Sequence, residues 1–242
     1  MDKSAVPPSG DKHDYMSMGP YWWPDPSKPD GKPYIQKDGQ TNPERATDKF
    51  DATRFGKMAS TVQSLALAYY FTGQEPYAVH AGKLLRTWFL NPGTRKNPNM
   101  NFGQSVPGRY DGRKEGVLDS RLILFTSDAA ALLKGSSGWT KHDADGYRKW
   151  LSDYVKWLKT NPLALQEKNA SNNHGTWYDA IICALMLHSG NAVEASAYLR
   201  ETVPARLSKQ LGADGSQPEE MKRTRSFHYP VFNLEAFSII AL

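Results

Sequence analysis

Apolar residues recur at three- and four-residue spacing over most of the chain beyond Phe50. Phe55, Met58, Val62, Leu65, Ala66 and Tyr69 follow this pattern, the period of an amphipathic helix. Asp51 or Thr53 is placed to cap that helix and Gly73 to end it. The same reading predicts a helix from about Glu75 to Leu90, stopped by Asn91-Pro92-Gly93. Further helices are predicted over Val117 to Leu133, Lys141 to Leu158, Trp177 to His188 and Ala192 to Leu211, with Asp143 and Asn191 as caps. The chain ends in an apolar pattern from Val231 to Leu242. Little alternates at period two, and no Asn-Gly turn joins alternating segments, so strands are not expected.

Two stretches break the helical pattern. Through Thr47, eight prolines from Pro7 to Pro43 sit among Gly10, Gly19, Gly31 and Gly39; proline fixes φ and removes a donor, so regular helix is not expected there. The segment also holds Tyr15, Tyr21, Trp22, Trp23 and Tyr34. Disordered linkers are poor in aromatics, so the segment reads as an ordered loop packed on a helical body. Thr94 to Glu115 is a second loop, and long loops in a compact domain are usually functional. The expected fold is all-α: antiparallel helix pairs joined by long functional loops. The uncapped apolar end, Phe237 to Leu242, predicts that residues 1–242 are one domain cut from a longer one.

Composition narrows the function classes. The 242 residues are 39% hydrophobic and 12% aromatic, enough for a sizeable core. Thirty Lys and Arg against 25 Asp and Glu give a net charge of +5, with no block of like charge, which argues against a nucleic-acid binder. A mild positive field suits a polyanionic substrate. The single Cys183 excludes an intramolecular disulfide framework. No apolar run approaches the roughly 20 residues of a membrane span, and Met1 to Asp14 shows no apolar signal region. Phosphate-loop, dinucleotide and zinc-site motifs are all missing.

Four clusters can carry chemistry. Ser171-Asn172-Asn173-His174-Gly175 precedes a predicted helix, where outward donors and the helix dipole favour a carboxylate; it reads equally as a capping turn. Glu219 to Tyr229 places Arg223 and Arg225 near His228 and Tyr229. A guanidinium there would favour the phenolate of Tyr229; the bland alternative is a solvated basic turn. Tyr15 to Pro26 offers aromatic faces for sugar stacking, or a hydrophobic plug. Gln104 to Arg121, with Arg109, Arg113 and Arg121, offers anion contacts or plain surface charge.

Taken together, Asp14 to Pro26, Asp38 to Glu44, Asn172 to Asp179, and Arg223 to Tyr229 followed by Phe232-Asn233-Leu234 resemble the alginate lyase-type polysaccharide lyases. The motifs span most of the chain in the family's order. The resemblance implies an incomplete (α/α) toroid and β-elimination on a 1,4-linked uronate polymer, alginate or glucuronan. It implies Asn173, His174, Arg223 and Tyr229 as the catalytic set, with Arg225 as the other candidate arginine. Tyr21, Trp22, Trp23, Gln104, Arg113, Arg225 and His228 are the expected substrate contacts. No cofactor or metal is expected; the partner is an acidic polysaccharide, with neither nucleic acid nor membrane, and the protein is expected to be a periplasmic or secreted monomer. Tyr229 would take the C5 proton, its phenolate favoured by the nearby arginine; bringing its pKa from 10 to near neutrality is worth about 4 kcal/mol, a load for an arginine and a histidine together. Two other classes stay open: a glycoside hydrolase, with Asp119, Asp179 and Glu219 as available carboxyls, and a non-catalytic glycan binder.

Overall fold

The computed structural model describes residues 2–242; Met1 lies outside them. Nine α-helices are present among the described residues. Helix α1 (Ala52–Thr72) buries Phe55, Met58, Ala59, Val62 and Ala66 at helical spacing and ends at Gly73, whose φ of 66° is the left-handed cap expected of glycine. Helix α2 (Glu75–Leu85) runs into a π-helical turn at Arg86–Leu90. A 3₁₀ segment at Lys114–Arg121 leads into α3 (Leu122–Leu132). Helix α4 (Lys141–Thr160) starts in a capping box: Thr140 is the N-cap and Asp143, expected as the cap, closes it from the third helical position. Asn161 ends α4 and caps the short α5 (Pro162–Lys168), which the periodicity did not reveal. Helices α6 (Asn173–His188), α7 (Ala192–Gln210), α8 (Pro218–Met221) and α9 (His228–Ala241) complete the chain.

Helix α1 packs on α2 and α3, α4 on α6, and α6 on both α7 and α9. The result is an incomplete (α/α) toroid around one main core, with a second small cluster of Met18, Trp22, Tyr34, Phe50 and Val106 under the loops. Trp177 and Tyr154 are fully buried in that core, and the Phe89 ring meets Tyr147 and Trp150 edge-on. No described helix is long and apolar enough to cross a membrane.

The loops depart from expectation by forming short strands. β1 (Met16–Met18) pairs in parallel with β4 (Phe102–Ser105), and β2 (Trp22–Trp23) pairs antiparallel with β3 (Ile35–Gln36). Two to four residues are too few to leave a period-two signature in the sequence, and β1 and β4 meet only through tertiary folding.

Buried carboxylates hold these loops on the helices. Asp51 makes no cap bond to α1. Its oxygens instead take Lys3 Nζ at 2.6 Å, Lys96 Nζ at 2.9 Å and the Met16 backbone N–H at 3.0 Å. Lys3 also donates to the carbonyls of Lys12 and Asp14. Burial pushes the Lys3 ammonium down to about 8 although Asp51 pulls it upward. Asp119 accepts from Ser17 Oγ at 2.5 Å and Tyr15 Oη at 3.0 Å, and so joins β1 to the 3₁₀ segment. Removing the carboxylate in Asp51→Ala leaves two buried ammonium groups without their counter-charge, and the expected loss is about 3–5 kcal/mol, read as a lowered midpoint in chemical denaturation.

Candidate functional site

Helix α6 begins four residues earlier than the periodicity predicts, so Asn173 and His174 form its first turn rather than precede it. Asn172 is the N-cap, its side chain accepting from the His174 N–H. Three buried contacts set this turn. Glu220 on α8, 2% exposed, accepts from the Asn173 backbone N–H and, at 2.7 Å, from Asn173 Nδ2. Gln210 donates to the Asn172 carbonyl at 2.9 Å. Arg206 pairs with Asp179 and donates to the carbonyls of Lys168 and Ala170, which pins the approach to the helix.

His174 carries its own partner. Its Nδ1 lies 2.5 Å from Oε1 of Glu167 on α5, a carboxylate 1% exposed. Burial works against a charged ring, but the attraction of Glu167 outweighs it, and the His174 pKa is raised above its ordinary value. The imidazole is therefore biased toward its cationic form.

The second wall comes from the start of α9 and from the N-terminal loop. Tyr229 Oη lies 2.8 Å from Tyr21 Oη and accepts from Arg223 Nη2 at 3.0 Å. The guanidinium also sits over the Tyr229 ring, 4.1 Å from its centroid. Asp38 anchors that arginine at 2.8 Å, and the bond holds the Asp38 carboxyl below the usual carboxylate range. The expected acidification of Tyr229 is not found. Burial and the hydroxyl of Tyr21 raise its pKa, and Arg223 only partly offsets them.

Asn173, His174, Arg223 and Tyr229 line one cleft of about 640 Å³. Tyr21, Trp22, Gln104, Arg113 and His228 line it too. Trp22 is mostly core, 8% exposed, with Arg109 and Arg113 against its ring. Gln104 is held in a left-handed conformation, φ 49°, by Ser17 bonding its N–H and by Asp119 and Arg113 bonding its side chain. His228 stacks on Phe232.

Two expected contacts lie elsewhere. Trp23 donates its indole N–H to Gln40 O, with Lys37 over its ring, and Arg225 donates to Gly39 O; neither lines the cleft. Trp23 ties the 37–40 turn to β2, and Arg225 ties it to the segment before α9. Arg223, rather than Arg225, is the arginine at Tyr229.

Asp38, Glu167, Glu220 and the hydroxyl role of Tyr21 were missed by the sequence reading. Asp38 and Glu220 fell inside quoted segments without a stated function, whereas nothing in the neighbourhood of Glu167 marked it. No described group of three His, Cys, Asp or Glu side chains is arranged to hold a metal ion.

The family model for alginate lyase matches residues 1–242. A solved structure of an alginate lyase from Bacteroides ovatus is 44% identical, with a TM-score of 0.96 over 100% of this chain and 63% of that one. This chain thus spans less than two thirds of that protein's length. No curated protein matches it.

Gly175 is where the first turn of α6 tolerates no side chain: a Cβ would fall inside contact distance of the Ala170 carbonyl and the Arg206 guanidinium. Gly175→Ala is expected to cost about 1–3 kcal/mol by overpacking, measured by thermal or denaturant unfolding.

Proposed function

The chain belongs to the alginate lyase family, and from that premise we propose that it is a polysaccharide lyase that cleaves a 1,4-linked polyuronate by β-elimination. One observation carries the reading. The Tyr229 hydroxyl, bonded to Tyr21 and Arg223, shares a single cleft with Asn173 and His174. A base for a carbon-bound proton thus faces donors suited to the adjoining carboxylate.

The chemistry follows from what each group can supply. Removing the C5 proton puts its electron pair into an enolate shared with the uronate carboxylate, and this developing charge must be met by fixed donors. The His174 ring, biased toward its cation by Glu167, provides positive charge. Asn173 has a second amide hydrogen beyond the one committed to Glu220. Tyr229, as the phenolate left once its own proton has passed to solvent, takes the C5 proton. The C4–O4 bond then breaks, the pair leaves with O4, and a C4–C5 double bond remains. Where the C5 hydrogen and O4 share a face, as in mannuronate and glucuronate, the tyrosine can return its proton to O4. The raised pKa of Tyr229 suits that second, acid step and works against the first, for which Arg223 supports the phenolate that begins and ends the cycle. Arg113 and Lys114 on the rim attract further uronate units.

The hydrolase reading has less support. Hydrolysis needs two carboxyl groups across the scissile bond. Asp119 and Asp179 are buried and engaged with Tyr15, Ser17, Arg206 and Tyr198. Glu219 pairs with Lys222 at the surface. A retained catalytic role and an extracytoplasmic location both fit a polyuronate substrate, which is a polymer met outside the cytoplasm.

Incubation with a panel of mannuronan, guluronan and glucuronan is expected to give the ultraviolet absorbance of an unsaturated uronate; new reducing ends without that absorbance would mean hydrolysis. Tyr229→Phe is expected to lower turnover by about 10²–10⁴-fold while polymer binding, measured by calorimetry, changes little. Full turnover in that variant would remove the tyrosine from the mechanism.

A further inference from the structure

The least explained charge near the cleft is Glu167. Its carboxylate is 1% exposed, on a seven-residue helix. Removing an ionised carboxylate from water costs several kcal/mol unless its partners compensate. The compensation here is narrow: Oε1 meets His174 Nδ1 at 2.5 Å, and Oε2 has no hydrogen-bond partner among the described residues. Other buried carboxylates of the chain divide their charge among several donors: Asp51 serves two lysines and a backbone N–H, Asp119 two hydroxyls, and Asp179 an arginine and a tyrosine. Glu167 directs its charge at one imidazole.

A hydrogen bond at one ring nitrogen decides which atom carries the proton and which way the ring faces. With Nδ1–H committed to Glu167, Nε2 is the nitrogen left to the cleft, and it makes no bond to the protein among the described residues. We infer that Glu167 is a positioning residue of this site: it orients the His174 ring and holds it cationic, so that Nε2–H is the donor presented to the substrate carboxylate. The inference deepens the lyase reading and rests on it for the identity of that carboxylate.

Charged and titratable neighbours from each side are few. Lys114 and Glu115 approach from the 3₁₀ segment, with opposite effects on the ring. Arg113, Asp38, Tyr21, Arg223, His228 and Tyr229 line the same cleft. Glu220 is taken up by Asn173. Among the described residues, Glu167 is the one carboxylate hydrogen-bonded to the imidazole.

The test compares Glu167→Gln, which keeps the shape and loses the charge, with Glu167→Asp, which keeps the charge on a shorter stem. The His174 ring is followed by NMR titration in the full chain, and turnover is followed by product absorbance. The sign is fixed: a raised pKa means the charged ring is present at low pH and lost as pH climbs through the folded value. Without Glu167's charge the largest remaining effect on the ring is burial, with Glu115 and Lys114 acting in opposite directions, so the His174 midpoint in Glu167→Gln is expected to fall. At a mildly alkaline pH the cationic fraction, and turnover with it, should drop about tenfold for each unit lost. Glu167→Asp should recover part of both. An unchanged His174 midpoint in Glu167→Gln overturns the inference, whatever the change in melting temperature, since a purely structural carboxylate would alter stability alone. If Glu167→Gln does not fold, the Asp variant decides by the same midpoint: one between the wild-type value and that of an ordinary histidine supports the inference, and one no different from an ordinary histidine's while turnover is intact overturns it. Should no polyuronate yield unsaturated product, the lyase reading falls, and the titration still decides whether Glu167 holds the ring charged.

Discussion

A carboxylate buried in a medium of low polarity must find donors, and the arrangement of this protein is organised by that requirement. Asp51 gathers Lys3, Lys96 and the Met16 N–H into one buried knot; Asp119 gathers Tyr15 and Ser17. Such groups add little net stability, because desolvation offsets most of the attraction. Their effect is selective: any other docking of the N-terminal loop would strand a charge. A segment dense in proline and glycine, with no helix of its own before Pro43, is thereby held in one place, and with it the cleft wall that carries Tyr21 and Asp38.

The same rule operates inside the cleft at shorter range. Asp38 stands behind Arg223, Glu220 behind Asn173 and Glu167 behind His174. Each functional donor is oriented by an acid that itself comes from a different element. Among the described residues no carboxylate is hydrogen-bonded to the Tyr229 hydroxyl; it has another phenol and a guanidinium. That asymmetry matches the proposed site, in which three groups are fixed as hydrogen-bond donors, two of them cationic, and one exchanges a proton. It also bears on the expected acidification of Tyr229 by an arginine and a histidine. The guanidinium is present, but burial and the Tyr21 hydroxyl act against it more strongly.

The helical body was legible because its causes are local. The run from Phe55 to Tyr69, the Gly73 stop and the Asn91-Pro92-Gly93 break are read from neighbours along the chain, and α1 and α2 follow them closely. Where short-range competition decided the outcome, the reading slipped. Thr140 capped α4 in place of Asp143, Asp51 gave its side chain to two lysines instead of the helix, and α6 opened at Asn173 because Asn172 was the better-placed cap. The strands β1 and β4 left no trace, since their partners lie more than eighty residues apart.

By itself, then, the sequence determined the helix periodicity and the breaker-rich loops, which depend on residue type and near-neighbour spacing, whereas Asn173, His174, Tyr229 and a choice between Arg223 and Arg225 came from the resemblance of whole motifs to a family. Only the tertiary structure decided that these four share a cleft, that Arg223 rather than Arg225 meets the phenol, that Trp23 faces away, and that Glu167 stands behind the imidazole. Those outcomes turn on which buried charge finds which donor across the fold, and a linear pattern carries no record of distances between elements that meet only after the chain has closed.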